Sequence, residues 1–153
     1  MKIVTILLLL VSFYGCATVS TLGTKTDKKV TITVTDDGSD GFITEAVPAH
    51  VRIKPGAKMH FKVVNDTEAT NISKVEVKNF VCKADGDTLP FEGEANDQSF
   101  TFNGVKVTKE SSRKSKGVQN KDGKIFEYIV HVEMEKGKNP DDLDPYMIIS
   151  QKP

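Results

Sequence analysis

The sequence predicts an all-β protein, a two-sheet antiparallel sandwich of about eight or nine short strands behind an apolar leader. Three observations carry this. Past residue 28 the apolar residues recur with period two. No segment there combines a 3.6-residue apolar period with helix-capping residues. Turn residues (Asp-Gly, Pro-Gly, Asn-Gly) punctuate the alternating runs at short intervals.

The chain opens Met1-Lys2, followed by an apolar run from Ile3 that ends at Phe13-Tyr14-Gly15-Cys16. One positive charge and a short apolar block form the n- and h-regions of an export signal. The block falls short of the ~20 apolar residues that span a bilayer. Gly15-Cys16 resembles the end of a bacterial lipobox, in which a small residue precedes a cysteine that is acylated and becomes the N-terminus. Phe13 and Tyr14 depart from the aliphatic and small residues usual before it. The alternative is ordinary cleavage after Ala17, which would leave a soluble secreted or periplasmic protein. The expected organisation is therefore a signal peptide at 1–15, a lipidated Cys16 and flexible tether at 16–28, and a sandwich domain at 29–153. Acyl chains on Cys16 would anchor the chain to a membrane. Resemblance to enterobacterial lipoproteins, with Ala17 after the cysteine, favours the outer membrane of a bacterial envelope.

Residues 17–28 are rich in Thr and Ser and lack an apolar period. Val30, Ile32 and Val34 then alternate with threonines up to the Asp36-Asp37-Gly38-Ser39-Asp40-Gly41 turn. A strand over Phe42 to Val47 closes at Pro48. Val51 and Ile53 lead to Pro55-Gly56, and Met59, Phe61 and Val63 follow in alternation. Val75 and Val77 begin a strand that runs to Cys82. Phe100 and Phe102 precede Asn103-Gly104, a hairpin signal, with Val105 and Val107 as the expected return. Phe126, Tyr128, Val130 and Val132 alternate most regularly, and Leu143 to Ile149 is the last expected strand.

The segment Val51-Arg52-Ile53-Lys54-Pro55-Gly56-Ala57-Lys58-Met59-His60-Phe61-Lys62-Val63-Val64-Asn65 resembles the strand, Pro-Gly turn, strand, Asn unit of cupredoxin-like and immunoglobulin-like sandwiches. The stretches 126–132 and 143–149 are similar to the closing strands of bacterial cupredoxin-like domains. Cupredoxins hold copper with an early His and a late Cys, His and Met cluster. Cys82 is followed here by Lys83-Ala84-Asp85-Gly86-Asp87, which supplies no such cluster. The resemblance thus implies the fold without the blue-copper centre.

Removing residues 1–15 leaves one more acidic than basic residue, which gives no electrostatic reason to expect nucleic acid. With Cys16 lipidated, Cys82 has no disulfide partner, and its apolar context predicts a buried thiol. His50, His60 and His131 each stand opposite in parity to the apolar residues of their strands and are expected to face solvent. They are the weak candidates for a copper or zinc site if their strands are neighbours. The 36–41 turn begins like a calcium loop but has Val47 where an EF-hand places its final acid, so it reads as a hairpin turn. Asp85, Asp87, Glu92, Glu94 and Asp97 read as a solvated acidic loop. Asn65-Asp66-Thr67 and Asn71-Ile72-Ser73 match the glycosylation acceptor pattern, which is chance in a bacterial lipoprotein and would matter in a eukaryotic secreted protein.

Residues 109–124 form a basic, Ser-rich segment expected as a loop. Its Lys109, Arg113, Lys114, Lys116, Lys121 and Lys124 are the candidate partner-binding residues for an anionic envelope component or an acidic protein face. Glu133, Glu135, Asp141, Asp142 and Asp144 could instead neutralise it within the chain. Nucleophile elbow, Walker, dinucleotide and zinc-protease motifs are missing from the sequence. The expected function is a lipid-anchored, non-catalytic binding or structural module without a cofactor. The rival expectations are a periplasmic metal-handling protein using its surface histidines, and an envelope enzyme or enzyme inhibitor.

Overall fold

The computed structural model of the 153-residue chain describes residues 26–39 and 41–152. The leader, Cys16, most of the tether, Asp40 and Pro153 lie outside the described residues. Nine strands are described: β1 (Lys28–Asp36), β2 (Phe42–Val47), β3 (His50–Ile53), β4 (Lys58–Asn65), β5 (Ile72–Cys82), β6 (Phe100–Val105), β7 (Glu110–Gly117), β8 (Ile125–Met134) and β9 (Tyr146–Ile149). They build two sheets, ordered β2-β1-β4-β7 and β3-β9-β8-β5-β6. The predicted two-sheet all-β sandwich is the observed fold. Both sheets are mixed, because β1 runs parallel to β4 and β3 parallel to β9.

The alternation in the sequence is the origin of this packing. Val30, Ile32 and Val34 of β1 and Met59, Phe61 and Val63 of β4 are fully buried, while the residues between them face outward. Val75 and Val77 of β5, with Phe126, Tyr128, Val130 and Val132 of β8, line the facing sheet. At the centre sits an aromatic cluster. Phe61 lies 4.8 Å from Phe100, Phe80 stacks on Tyr128 at 4.8 Å, and Phe91 meets Phe80 edge-on at 5.1 Å. Rings at these separations add to the stabilisation from their burial. Cys82 is buried, as its apolar context predicted.

Four expectations need correction. Asn103-Gly104 is not a hairpin turn: both residues lie inside β6, where Asn103 pairs with Lys74 and Val105 with Ile72. Gly104 alone takes a positive φ, of 61°, whereas a type I′ turn needs two such residues. The chain turns later, at Lys106–Lys109, where Thr108 has a φ of 57° and the Lys109 amide donates to the Lys106 carbonyl. The 109–124 segment is not simply a loop either, since its first half is β7. Finally, the tether expected to reach residue 28 ends earlier, for Asp27 is docked: its Oδ1 accepts from the Lys58 amide at 2.9 Å. The last strand is shorter than expected, with Leu143 joined to Val130 only by an isolated bridge.

The 36–41 segment is a turn. Asp37 Oδ1 accepts from the amides of Ser39 and Gly41 at 2.7 and 3.0 Å, an Asx arrangement. Asn65 is wholly buried, which removes it as a glycosylation acceptor. Its Oδ1 accepts from the Thr67 hydroxyl and its Nδ2 donates to the carbonyls of Thr70 and Val105.

Candidate contact site between the edge strands

β7 has no apolar alternation (Glu-Ser-Ser-Arg-Lys-Ser-Lys-Gly), so its own sequence does not specify a strand. The ladder to β4 does, through Val64↔Glu110, Val63↔Ser111, Lys62↔Ser112, Phe61↔Arg113 and His60↔Lys114. Ser115 locks the lower half: its buried hydroxyl accepts from the Met59 amide at 2.8 Å and donates to the Lys116 carbonyl at 2.6 Å. Below it the Val118 amide donates to Ala57 O and the Gly56 amide to Val118 O. β7 is therefore the outer strand of the four-stranded sheet, and β6 is the outer strand of the other. Between them lies an open cleft of about 400 Å³. Asn96, Asp97 and Thr101 contribute one wall, Arg113, Lys114 and Lys116 the other, and Phe100 lines it as well.

The six candidate basic residues fall into two groups. Four are neutralised within the molecule. Lys114 Nζ lies 2.8 Å from Asp27, Lys116 2.9 Å from Asp97, and Lys121 2.5 Å from Asp87. Lys124 bridges Asp85 at 2.7 Å and Asp87 at 2.8 Å. Lys109 and Arg113 are exposed and have no ion pair among the described residues. The neutralising partners are not the expected 133–144 carboxylates: Glu133 pairs with Lys74, and Asp142 with His131. Asp27 serves Lys114, and the 85–97 carboxylates serve the other three, because the segment before β6 folds back beside 116–124. The expected solvated acidic loop is thus partly a structural clamp.

These contacts set the electrostatics. At Asp87 burial raises the proton affinity, but hydrogen bonds from Lys121, Lys124 and the Leu89 amide outweigh it, and the carboxyl is held well below the usual range. Lys114, then the Lys58 amide and His60, depress Asp27 similarly. Lys116 and the Glu94 amide lower Asp97. Asp85, with Asp87, raises Lys124 above the ordinary lysine value. All are pairs that favour the charged forms.

The three histidines face outward as expected but do not converge. His60 belongs to β4, whereas His50 and His131 belong to β3 and β8 of the opposite sheet, separated there by β9. His50 packs on Tyr146 with ring centroids 5.0 Å apart. His60 Nε2 is 3.2 Å from Asp27, and His131 Nδ1 is 2.6 Å from Asp142. Among the described residues no group of three or more His, Cys, Asp or Glu side chains is placed to hold a metal ion, and no helix is long and apolar enough to cross a membrane.

A larger groove of about 730 Å³ runs over the outer face of β5 and β8, beside Lys78, Glu127 and Gln98. Asn79, with a φ of 56°, marks the β5 irregularity there. Sequence reasoning missed this groove and the roles of Asp27, Asp87 and Ser115. Asn79 carries no sequence signal beyond its tolerance of left-handed backbone.

No protein-family model matches the chain, and no curated protein matches it in sequence. Among solved structures it is similar to Fet3p, a multicopper oxidase that functions in iron import (TM-score 0.41, 8% identity, covering 83% of this chain and 28% of that one). It is also similar to the multicopper oxidase mgLAC (TM-score 0.39, 11% identity, 84% of this chain and 40% of that one). A third is reduced auracyanin from the photosynthetic bacterium Roseiflexus castenholzii (TM-score 0.37, 11% identity, 78% of this chain and 96% of that one). These neighbours are cupredoxin-like and distant. The chain spans well under half the length of the two oxidases, and copper chemistry is a property of those proteins.

Proposed function

We propose that the chain is a lipid-anchored, non-catalytic binding module of a bacterial envelope, tethered through Cys16, and that it engages an anionic partner on the β6–β7 side. The observation that carries this reading is Arg113. It is an exposed guanidinium on an edge strand, beside a cleft, in a molecule that neutralises most of the neighbouring cations with its own carboxylates. A guanidinium offers five donors in a fixed fork suited to carboxylate or phosphate. Lys109, just ahead of the same strand, extends the positive strip. Steering by such a strip speeds association more than it deepens affinity.

The non-catalytic part is supported by the direction of the proton equilibria. A carboxyl that serves as a general acid near neutral pH needs its proton affinity raised. Asp27, Asp85, Asp87, Asp97 and Glu110 are all lowered by their ion pairs or amide hydrogen bonds.

The test uses the full-length chain, recovered from bacterial membranes in detergent, and polyglutamate as the anionic probe. Mass spectrometry of the mature N-terminus should find an acylated Cys16; an unmodified chain starting at Thr18 removes the tether. Polyglutamate should bind in a salt-sensitive manner. The double variant Arg113→Glu/Lys109→Glu should weaken it at least ~10-fold while leaving the circular-dichroism spectrum unchanged. Equal binding by the variant moves the contact surface elsewhere.

A further inference from the structure

We infer that the partner is an extended acidic polypeptide that adds to the free edge of β7 as a fifth strand of the four-stranded sheet. The inference rests on the reading that the β6–β7 side is the contact surface, and names what occupies it.

An outer strand offers a row of backbone N–H and C=O groups that its own sheet does not pair, and an extended chain can complete them. Four strands are outermost in the two sheets, β2, β7, β3 and β6. Charge separates them. β3 is four residues long and β6 carries no basic residue and a left-handed Gly104. β2 exposes Ile43 and Val47 around Glu45, so an acidic strand is repelled there. β7 is eight residues long and carries Arg113, Lys114 and Lys116, with Lys109 just ahead of it; at its lower end the Gly117 carbonyl already accepts from the Glu92 amide at 2.8 Å, so the open edge is the stretch above it. The residues from Glu110 to Lys116 extend ~23 Å, enough to pair with a segment of similar length.

The pleat sets the sequence such a segment needs. Arg113 holds the register position opposite the core residue Phe61, and Lys114 the position opposite the outward-facing His60. Side chains of the added strand alternate in the same way. One parity faces the cleft and meets Arg113 beside Phe100, and the other faces outward and meets Lys114. Carboxylates at cleft-facing positions satisfy Arg113 in bidentate fashion. Those facing outward compete with Asp27 for Lys114. The same charges repel a second β7, so the edge is guarded against its own kind while admitting acidic strands.

The experiment presents the full-length, detergent-solubilised chain with a synthetic nine-residue peptide alternating Glu and Thr. Two further peptides carry N-methyl groups on alternate backbone nitrogens, one in each phase, and a fourth replaces every Glu with Gln. Strand addition predicts that one N-methylated phase binds like the parent while the other loses at least ~10-fold. It predicts a similar loss for the Gln peptide and for the parent peptide with Arg113→Glu, and slower hydrogen exchange of β7 amides in the complex. Arg52→Glu, a charge change on exposed β3 at the sheet edge opposite β6, should leave binding unaltered. If both methylated peptides bind like the parent, strand addition is wrong and the broader anionic contact stands. If the peptide fails while anionic phosphatidylglycerol vesicles bind, the partner is a lipid surface and the inference falls. Concentration-dependent self-association that the peptide does not disturb, abolished by Glu45→Lys, would instead assign the edge to β2 of a second copy. If peptide, vesicles and polyglutamate all fail, the contact surface itself is refuted.

Discussion

Replacing Asp87 by Asn removes one negative charge from between two ammonium groups. The Asp87 side chain is 17% exposed, with Lys121 at 2.5 Å and Lys124 at 2.8 Å from Oδ2, while Oδ1 accepts from the Leu89 amide at 3.1 Å. The amide oxygen of Asn can keep the Leu89 bond, and Lys124 keeps Asp85 at 2.7 Å. The net loss is therefore dominated by Lys121. A hydrogen bond between charged groups contributes roughly 1.5–3 kcal/mol, so a destabilisation of about 2 kcal/mol is expected. For a domain of this size that lowers Tm by ~8 °C. Because the folded carboxyl is held below its unfolded value, the stabilisation is present above about pH 4 and disappears as pH falls through that region toward the folded pKa. Urea titrations of both proteins at a series of pH values measure this directly. The gap between them should be constant near neutrality and close below about pH 4. A variant within about 0.5 kcal/mol of the parent, the usual effect of an exposed substitution, refutes the clamp. So does a gap that persists unchanged in acid.

Two other substitutions probe the interior. Tyr128 is buried against Phe80, and its hydroxyl has no hydrogen-bond partner among the described residues. Tyr128→Phe should thus leave stability unchanged or raise it by about 1 kcal/mol, and a clear loss in urea titration means the hydroxyl is paired through internal water. Asn65→Ala removes both ends of a fully buried side chain and strands the Val105 carbonyl and the Thr67 amide, while the Thr70 carbonyl keeps the Thr67 hydroxyl. It should cost about 3 kcal/mol, and a thermal melt within about 1 kcal/mol of the parent would show that water replaces the amide.

The strands legible in the sequence are those whose buried face is written in side chains. Val30, Ile32 and Val34, or Phe126, Tyr128, Val130 and Val132, announce both a strand and the side that is covered. β7 was illegible for the opposite reason. Among its side chains only Ser115 is buried, and the information that makes it a strand resides in β4. Asn103-Gly104 misled because a local turn preference lost to the ladder between β5 and β6, which runs through it without a register shift. The basic residues of the candidate site were visible as a set. Their division into clamped and free was not, because it depends on Asp27, Asp87 and Asp97, brought in from distant parts of the chain.

Anchoring through Cys16, as proposed, would give the position of β1 a mechanical consequence. β1 is bordered on both sides, by β2 along Thr31–Asp36 and by β4 along Lys28–Val34. A force drawn along the strand from Lys28 loads these two rows of bonds in shear, all together, rather than peeling them one at a time. The proposed attachment would thus lead into the interior of a sheet, and a pull on it would have to slide a central strand past two neighbours before the body came apart.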